Sequence, residues 1–240
     1  MRTDEREQDA ASATASEAIV PVRVWDFPVR AFHWALVLLV GASALTGWFA
    51  AEVGTEGMQW HKRSGYCILA LVLFRIVWGF AGSTYARFCN FVKGPRAVAR
   101  YAGTLRRAHH KPQAGHNPLG GWSVMLMLLS LAAQTISGLF IEDEDLGVEG
   151  PLAHLVSSRT GDTLAALHET NFFVLIALIA VHVAAILFYL LVKGENLIRP
   201  MLTGYKRLPL HLRTAAYFPG TTRAAVLFAL AAALVYWIAR

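Results

Sequence analysis

HETNFFVLIALIAVH, residues 168–182, lies inside the longest apolar run of the chain, residues 164–192. The run exceeds the roughly 20 helical residues that cross a hydrocarbon core of about 30 Å. Fourteen positions separate His168 from His182, which is almost four helical turns. A helix therefore points both imidazoles in the same direction, roughly 21 Å apart along its axis. The stretch predicts a membrane-crossing helix that presents two potential ligands on one face.

The composition of the whole chain supports a location in a bilayer. Of 240 residues, 55% are apolar and only 16% are charged, whereas about a quarter of the residues in soluble domains are charged. An ordinary soluble domain and an intrinsically disordered protein are both excluded. The two cysteines, Cys67 and Cys89, are too few for a disulfide framework or a four-thiolate metal site. The sequence also lacks the Cys-x-x-Cys-His stretch that attaches haem covalently.

Four apolar runs are long enough to span a membrane, and a fifth is short. The four predicted spans are residues 31–51, 65–82, 122–140 and 164–192. Residues 224–239 cover about 24 Å as a helix, so they either cross a thinned bilayer or lie along its surface. We predict an all-α integral membrane protein, a four-helix transmembrane bundle with a fifth, C-terminal hydrophobic helix.

The chain divides into three stretches of different character. Residues 1–22 are rich in Ala, Ser and Glu and are predicted to form a disordered cytoplasmic tail. Residues 23–204 contain the four long runs and form the predicted transmembrane domain. Residues 205–240 are predicted to be a proline-broken connector followed by the C-terminal helix.

Charged residues predict the orientation. The loop between spans two and three has no acidic residue and contains Arg87, Lys93, Arg96, Arg100, Arg106, Arg107 and Lys111. The connection after span three carries Glu142, Asp143, Glu144, Asp145, Glu149 and Asp162. The positive-inside rule places the N-terminus and the basic loop in the cytoplasm. The net charge of +6 then indicates membrane topology and contact with lipid, not nucleic acid, although a phospholipid-headgroup site in the basic loop is an alternative.

Four histidines fall at two depths in this topology. His33 and His182 lie toward the cytoplasmic side, and His61 and His168 toward the outer side. Zinc or iron bound directly by protein needs three or four converging ligands, and this spacing separates the histidines. Two opposed imidazoles with a flat apolar macrocycle between helices are what b-type haem requires. We therefore pair His33 with His182, and His61 with His168, as the ligands of two haem irons.

Three further residues fit this arrangement. Gly47 lies fourteen positions after His33, and Gly65 lies one turn after His61. Each glycine either lets a porphyrin approach the backbone or serves helix packing alone. Arg75 lies fourteen positions after His61 and either pairs with a haem propionate or extends to the cytoplasmic interface.

Several stretches together resemble a known family. They are VWDFPVRAFHW (24–34), TGW (46–48), HKRSG (61–65), LFRIVWG (73–79), HNPLGGW (116–122) and the segment 168–182. They resemble the bacterial di-haem cytochrome b561 family, which is similar to the b-type cytochrome subunits of nickel-iron hydrogenases and formate dehydrogenases. The resemblance covers residues 24–204 approximately.

The resemblance implies a four-helix core that holds two haems b with the same histidine pairs, in a bacterial inner membrane. It further implies a quinone site, for menaquinone or ubiquinone, near the cytoplasmic haem. Asn117 matches the position of an asparagine that helps to form this site in formate dehydrogenase subunits. An asparagine before a proline is also a good turn residue, so that role is an alternative.

Haem irons with two histidine ligands have no open position for oxygen or substrate, so the predicted function is one-electron transfer. Electrons would pass between the quinone pool and an outer partner, a periplasmic c-type cytochrome or an oxidoreductase subunit. The acidic loop 142–149 is a candidate dock for a basic partner, or a solvated loop. The alternatives are a transporter or proton relay that uses the histidines, although no inverted repeat is found, and a simple membrane anchor. Membership of a quinone-linked enzyme complex and a homodimer are left open.

Overall fold

The computed structural model describes residues 18–105, 112–143, 145 and 147–240. In chain order its helices and strands are β1 (Ile19–Arg23), α1 (Phe27–Trp48), α2 (Ala50–Ala81), α3 (Phe88–Phe91), α4 (Pro95–Thr104), α5 (Pro118–Ser137), β2 (Glu142–Asp143), β3 (Val148–Glu149), α6 (Ser158–Leu191), α7 (Ile198–Thr203), β4 (Tyr205–Pro209) and α8 (Thr221–Ile238). Within the described residues, α1, α2, α5, α6 and α8 are long and apolar enough to cross a membrane. The prediction of an all-α membrane bundle with a fifth hydrophobic helix is confirmed.

Three long helices begin several residues before the apolar runs that predicted them, because polar side chains cap them. The Asp26 carboxylate accepts a hydrogen bond from the Val29 amide at 2.8 Å at the start of α1. The Asn117 side-chain oxygen accepts one from the Gly120 amide at 2.7 Å at the start of α5. Ser157 caps α6. Such caps satisfy amide groups that have no partner within the helix, so the helix extends to the cap and not merely to the first apolar residue.

Helix α2 begins fifteen residues before the predicted span at residue 65. Its first turns are polar, and a kink at Gly54, where φ is +59°, separates residues 50–53 from the rest of the helix. Hydropathy detects only the apolar part of a helix and misses a polar extension of this kind. His61 therefore lies within α2, although it precedes the predicted span.

Helix α2 lies at the centre of the bundle and packs against α1, α5 and α8. Its Val72 and Trp78 side chains are almost completely buried. Helix α8 packs beside α2 in the opposite direction: the Phe228 ring meets Phe74 with centroids 6.0 Å apart, and Val235 joins the cluster around Ala70. The C-terminal helix is thus a packed member of the bundle.

One end of the bundle carries the antiparallel pair β1–β4, and we call it the sheet end. These strands fall in stretches predicted from sequence as the tail, residues 1–22, and the connector, residues 205–240; the structure pairs residues 19–23 with residues 205–209. The sheet forms because Val22 and Leu208 bury apolar side chains, and the Val24 amide extends the contact with a 2.8 Å hydrogen bond to the Gly204 carbonyl. The predicted tail before residue 18 lies outside the described residues.

The opposite end carries the short antiparallel pair β2–β3, and we call it the hairpin end. This pair belongs to the acidic connection between α5 and α6. Lys62 of α2 donates to the Glu149 carbonyl at 2.5 Å, which fixes the connection beside α2. The connection between α1 and α2 also lies at this end.

Candidate haem-binding sites

The four sequence-predicted histidines occupy three helices of the bundle. His33 lies on α1, His61 on α2, and both His168 and His182 on α6. His61 and His168 are at the hairpin end, where their rings approach each other across the bundle at an interplanar angle of 66°. His33 and His182 are at the sheet end and lie close enough to interact electrostatically.

The hairpin-end pair has a spacing that accommodates a metal ion. The ring centroids of His61 and His168 are 6.1 Å apart. Two imidazoles that share one metal, with metal–nitrogen bonds of about 2 Å each, have centroids roughly 6 Å apart. The two rings are therefore at a distance that fits one iron between them.

Hydrogen bonds at the hairpin end indicate which ring nitrogens are free. The Nδ1 atom of His61 lies 2.9 Å from the Ser43 carbonyl, which can only accept. The Nδ1 atom of His168 lies 3.1 Å from the Ser137 hydroxyl, and that hydroxyl donates its own proton to the Gln134 carbonyl. Both Nδ1 atoms thus carry the proton, and both Nε2 atoms keep a lone pair for a metal. Such second partners are usual for histidines that ligate metals.

Glycines lie against these two rings. A Cβ atom on Gly47 would be 3.0 Å from His61 Cε1, and one on Gly138 would be 3.2 Å from His168 Cε1. Both distances are too short for a comfortable contact, so the absence of a side chain lets each ring adopt its position. Around Gly65 no atom lies within 4 Å of a Cβ position. Gly47 was identified from its spacing, whereas Gly138 was missed because it is not fourteen positions from a histidine.

The sheet-end pair has different surroundings. Among the described residues, the buried Nδ1 atom of His33 has no hydrogen-bond partner. Arg75 is only 3% exposed, and its guanidinium lies over the rings of Phe88 and Phe91 at 5.2 and 5.9 Å. One buried nitrogen of Arg75 also has no hydrogen-bond partner within the described part of the chain. A buried cation with an unused donor fits a carboxylate such as a haem propionate.

A buried carboxylate accompanies Arg75. Asp26 is 1% exposed, caps α1, and accepts a 3.2 Å hydrogen bond from the indole nitrogen of Trp78. It also interacts electrostatically with Arg75. Asp26 therefore supplies a counter-charge that helps to retain the cation inside the bundle.

His116 is a site residue to which sequence analysis assigned no role. Its ring lies between Trp25 and Phe91, with centroids 4.8 and 4.7 Å away. Burial, with smaller contributions from Arg75, His182 and Lys206, lowers the pKa of His116 to about 3. His116 also lines a cleft of about 230 Å³ with Tyr85, Asn90, Lys93 and Gln113. Only its place in the motif HNPLGGW pointed to it, because burial depends on contacts between distant segments.

Asn117 is engaged at the start of α5. Besides its capping bond, its amide nitrogen donates to the Tyr189 hydroxyl of α6 at 3.0 Å, and Tyr189 lies 2.6 Å from the Tyr101 hydroxyl of α4. Burial, followed by the hydrogen bond to Tyr189, raises the pKa of Tyr101, which stays protonated at neutral pH. Asn117 thus caps α5 and bonds to α6, and its role in a quinone site stays a prediction.

Comparisons with known proteins place the chain in a family. Residues 24–204 match the family described as prokaryotic cytochrome b561. The chain is 24% identical over 225 residues to the probable Ni/Fe-hydrogenase B-type cytochrome subunit of Rhizobium leguminosarum bv. viciae, covering 81% of this chain and 93% of that one. It is 23% identical over 221 residues to the probable Ni/Fe-hydrogenase 1 B-type cytochrome subunit of Escherichia coli K12, covering 80% and 93%. No solved structure matches.

The family match indicates the same class of protein as the five apolar helices and the neighbouring imidazoles, a membrane cytochrome. The match extends from the end of β1 to the turn before β4 and includes all four histidines. Helix α8 lies beyond it. The chain belongs to the prokaryotic cytochrome b561 family, and is a multi-pass membrane electron-transfer protein of the b type, which carries haem b.

Proposed function

We propose that this protein transfers electrons across the bacterial inner membrane through two haems b, between a redox partner at the hairpin end and the quinone pool at the sheet end. His61 and His168 would ligate one haem iron, and His33 and His182 the other. Bound haem with two histidine ligands supplies one-electron transfer without an open coordination position. The observation that carries the proposal is the His61–His168 pair, whose ring centroids are 6.1 Å apart at an interplanar angle of 66°, with both Nδ1 atoms hydrogen-bonded.

The sheet-end residues support a second haem there. His33 and His182 approach each other at this end. Arg75 places a buried cation with an unused donor nearby, which would hold a propionate by a charge-assisted hydrogen bond. Asp26 and Trp78 would keep the arginine side chain in this position when the propionate is absent.

The distribution of charge supports a cytoplasmic sheet end. Basic residues without acidic neighbours connect α2 to α5 at this end, and the acidic connection is at the hairpin end. Basic loops remain on the cytoplasmic side of bacterial membranes. The N-terminal strand β1 would then lie in the cytoplasm, and β2–β3 on the periplasmic side.

The cleft beside His116 supports a quinone site near the sheet-end histidines. Its volume of about 230 Å³ suits a single aromatic ring with a few substituents. His116 offers a neutral imidazole, and Asn90, Gln113 and Lys93 offer further polar groups for ring oxygens. Asn117 follows His116 directly and would hold the loop that lines the cleft through its bond to Tyr189.

The outer partner would dock at the hairpin end. The relatives are named as subunits of Ni/Fe-hydrogenases, which favours an oxidoreductase subunit as the partner, with a periplasmic c-type cytochrome as the other candidate. The acidic residues on β2 and β3 are Glu142, Asp143 and Glu149. They would favour a partner surface rich in Lys and Arg through electrostatic steering.

Haem counting tests the proposal. Purified protein should contain two haems b per chain by pyridine haemochrome assay. His168→Ala and His182→Ala should each lose one haem and leave the absorption spectrum of the other unchanged. His154→Ala, which alters an exposed histidine in a loop, is the matched control and should retain both. One haem in the unmodified protein, or equal loss of both from each variant, would contradict the pairing.

Quinol reduction tests the cleft. His116→Gln should slow reduction of the protein by a quinol at least tenfold, while reduction by dithionite, which needs no such site, remains unchanged. Asn117→Asp keeps the oxygen that caps α5 but loses the amide group that donates to Tyr189. It therefore tests the hydrogen bond to α6 separately from the helix cap. Unaltered quinol kinetics in both variants would place the quinone elsewhere.

A further inference from the structure

A polar cluster joins α5 and α6 within the membrane-spanning region. The Ser130 hydroxyl donates to the Asn171 side-chain oxygen at 2.9 Å. The Asn171 amide nitrogen donates both to the Ser130 carbonyl at 2.9 Å and to the Gln134 side-chain oxygen at 2.6 Å. Both amide protons and the oxygen of Asn171 are thus engaged with α5, and Ser130 is buried.

This cluster is more specific than apolar packing between helices. Apolar contacts between α5 and α6 tolerate small rotations of the helices. The three hydrogen bonds made by one amide side chain instead fix both the rotation and the depth of one helix against the other. A polar group in hydrocarbon has no water to replace a lost partner. The cluster therefore selects one register of α6 against α5.

The same segment of α5 supplies the hydrogen-bond partners of His168. Gln134 binds Asn171 through its side chain, and its carbonyl accepts from His168. Ser137, one turn further along α5, contacts His168 Nδ1 at 3.1 Å. Asn171 lies three residues after His168, which is about 4.5 Å along the axis. A shift of α6 that breaks the Asn171 bonds would therefore also displace the His168 ring from its partners.

We propose that Asn171 is a positioning residue for His168: with Ser130 and Gln134 it holds α6 in the register that aims the His168 ring at the hairpin-end haem. This role rests on the proposed di-haem function. His182 has no corresponding tether on the described part of the chain within one turn, so the effect of Asn171 should be confined to the hairpin end.

Electron paramagnetic resonance of the oxidised protein, together with a redox titration, tests the proposal. Each haem with two histidine ligands gives its own low-spin signal, and His168→Ala identifies the one that belongs to the hairpin end. Asn171→Leu should shift that signal and raise the midpoint potential of the same haem, because the His168 Nδ1–H bonds weaken. The other signal should not move. Thr170→Leu, at an exposed neighbouring position, is the matched control and should change neither.

Milder variants keep the test decisive if Asn171→Leu fails to fold. Ser130→Ala removes one donor and should produce a smaller shift in the same direction, whereas Ser130→Thr keeps the hydroxyl and should restore the original signal. Equal movement of both signals, or of neither, would contradict the positioning role. A preparation with no second haem signal would instead contradict the proposed function. It would also contradict the positioning role, which depends on that function.

Discussion

The two ends of the bundle hold the same kind of histidine pair in opposite surroundings. At the hairpin end, the Nδ1 atoms of His61 and His168 contact hydrogen-bond acceptors on neighbouring helices. At the sheet end, His33 Nδ1 is buried without a partner among the described residues, and Arg75 brings a buried positive charge. Identical ligands therefore lie in different electrostatic environments.

This difference predicts an order of redox potentials. An acceptor on Nδ1–H makes an imidazole a stronger electron donor and stabilises the oxidised iron. A nearby cation stabilises the reduced iron instead. We expect the hairpin-end haem to have the lower potential and the sheet-end haem the higher one. Electron flow from an outer partner toward the quinone pool is then energetically downhill, apart from the contribution of the membrane potential.

Removal of the buried cation should have the largest effect on this difference. Arg75→Gln should lower the midpoint potential of the sheet-end haem, because the positive charge no longer favours the reduced form. Only the part of this interaction that differs between the two oxidation states shifts the potential. The full contribution of a hydrogen bond to a charged group, about 1.5–3 kcal/mol, therefore sets an upper bound of about 65–130 mV for one electron at 2.3 kcal/mol per 100 mV. A redox titration followed at the haem α-band measures both potentials in one experiment.

The hairpin-end potential serves as the internal reference for Arg75→Gln. Arg100→Gln removes an exposed arginine from α4 and is the matched control for the change in net charge. It should alter neither potential, because solvent screens exposed charges. A sheet-end potential that stays constant in Arg75→Gln would mean that the guanidinium does not act on a haem.

The bundle itself was largely predictable because a bilayer permits few structures. Long apolar runs without charges have to be helices, since no water is available to satisfy the backbone. Their starts were missed because caps such as Asp26 and Ser157 are polar and lie outside the apolar runs. The β1–β4 sheet was missed because each strand is short and contains a proline, and because its partners are almost 200 residues apart in sequence.

The candidate histidines could be selected from the sequence where one helix carries the information. The fourteen-residue interval from His168 to His182 fixes both depth and direction on α6, whatever the other helices do. His116, Ser137 and Asn171 were not predicted, because their importance depends on contacts with other segments. A serine or asparagine in an apolar run has many potential partners, and only the packing of α5 against α6 selects among them.

The second-largest expected effect is on haem retention at the hairpin end, after a methyl group is added beside His61. Gly47→Ala places a Cβ atom 3.0 Å from His61 Cε1, so the ring or α1 has to move. Overpacking of this kind costs about 1–3 kcal/mol, so the affinity for the hairpin-end haem should fall by about fivefold to about 100-fold, since 1.4 kcal/mol is a factor of ten. Haem transfer to an excess of apomyoglobin measures the loss.

Gly41→Ala offers a matched control for this change on the same helix. No atom lies within 4 Å of a Cβ position at Gly41, so the variant should keep both haems and gain slightly in helix stability. The sheet-end haem should be retained in both variants. Equal retention at the hairpin end in Gly47→Ala and Gly41→Ala would show that the ring tolerates the extra methyl group.

The smallest expected effect concerns one hydroxyl at the hairpin end. Ser137→Ala removes one of the two acceptors beside His168 Nδ1 and leaves the Gln134 carbonyl. A neutral hydrogen bond contributes about 1 kcal/mol, so the hairpin-end potential should rise by no more than about 40 mV at 2.3 kcal/mol per 100 mV. Ser64→Ala removes a hydroxyl that bonds only the His61 carbonyl and should leave the potential unchanged. Because Ser137→Ala raises the lower potential while Arg75→Gln lowers the higher one, both variants should bring the two haems closer together. A rise in Ser137→Ala without a fall in Arg75→Gln would mean that hydrogen bonding alone separates the two ends.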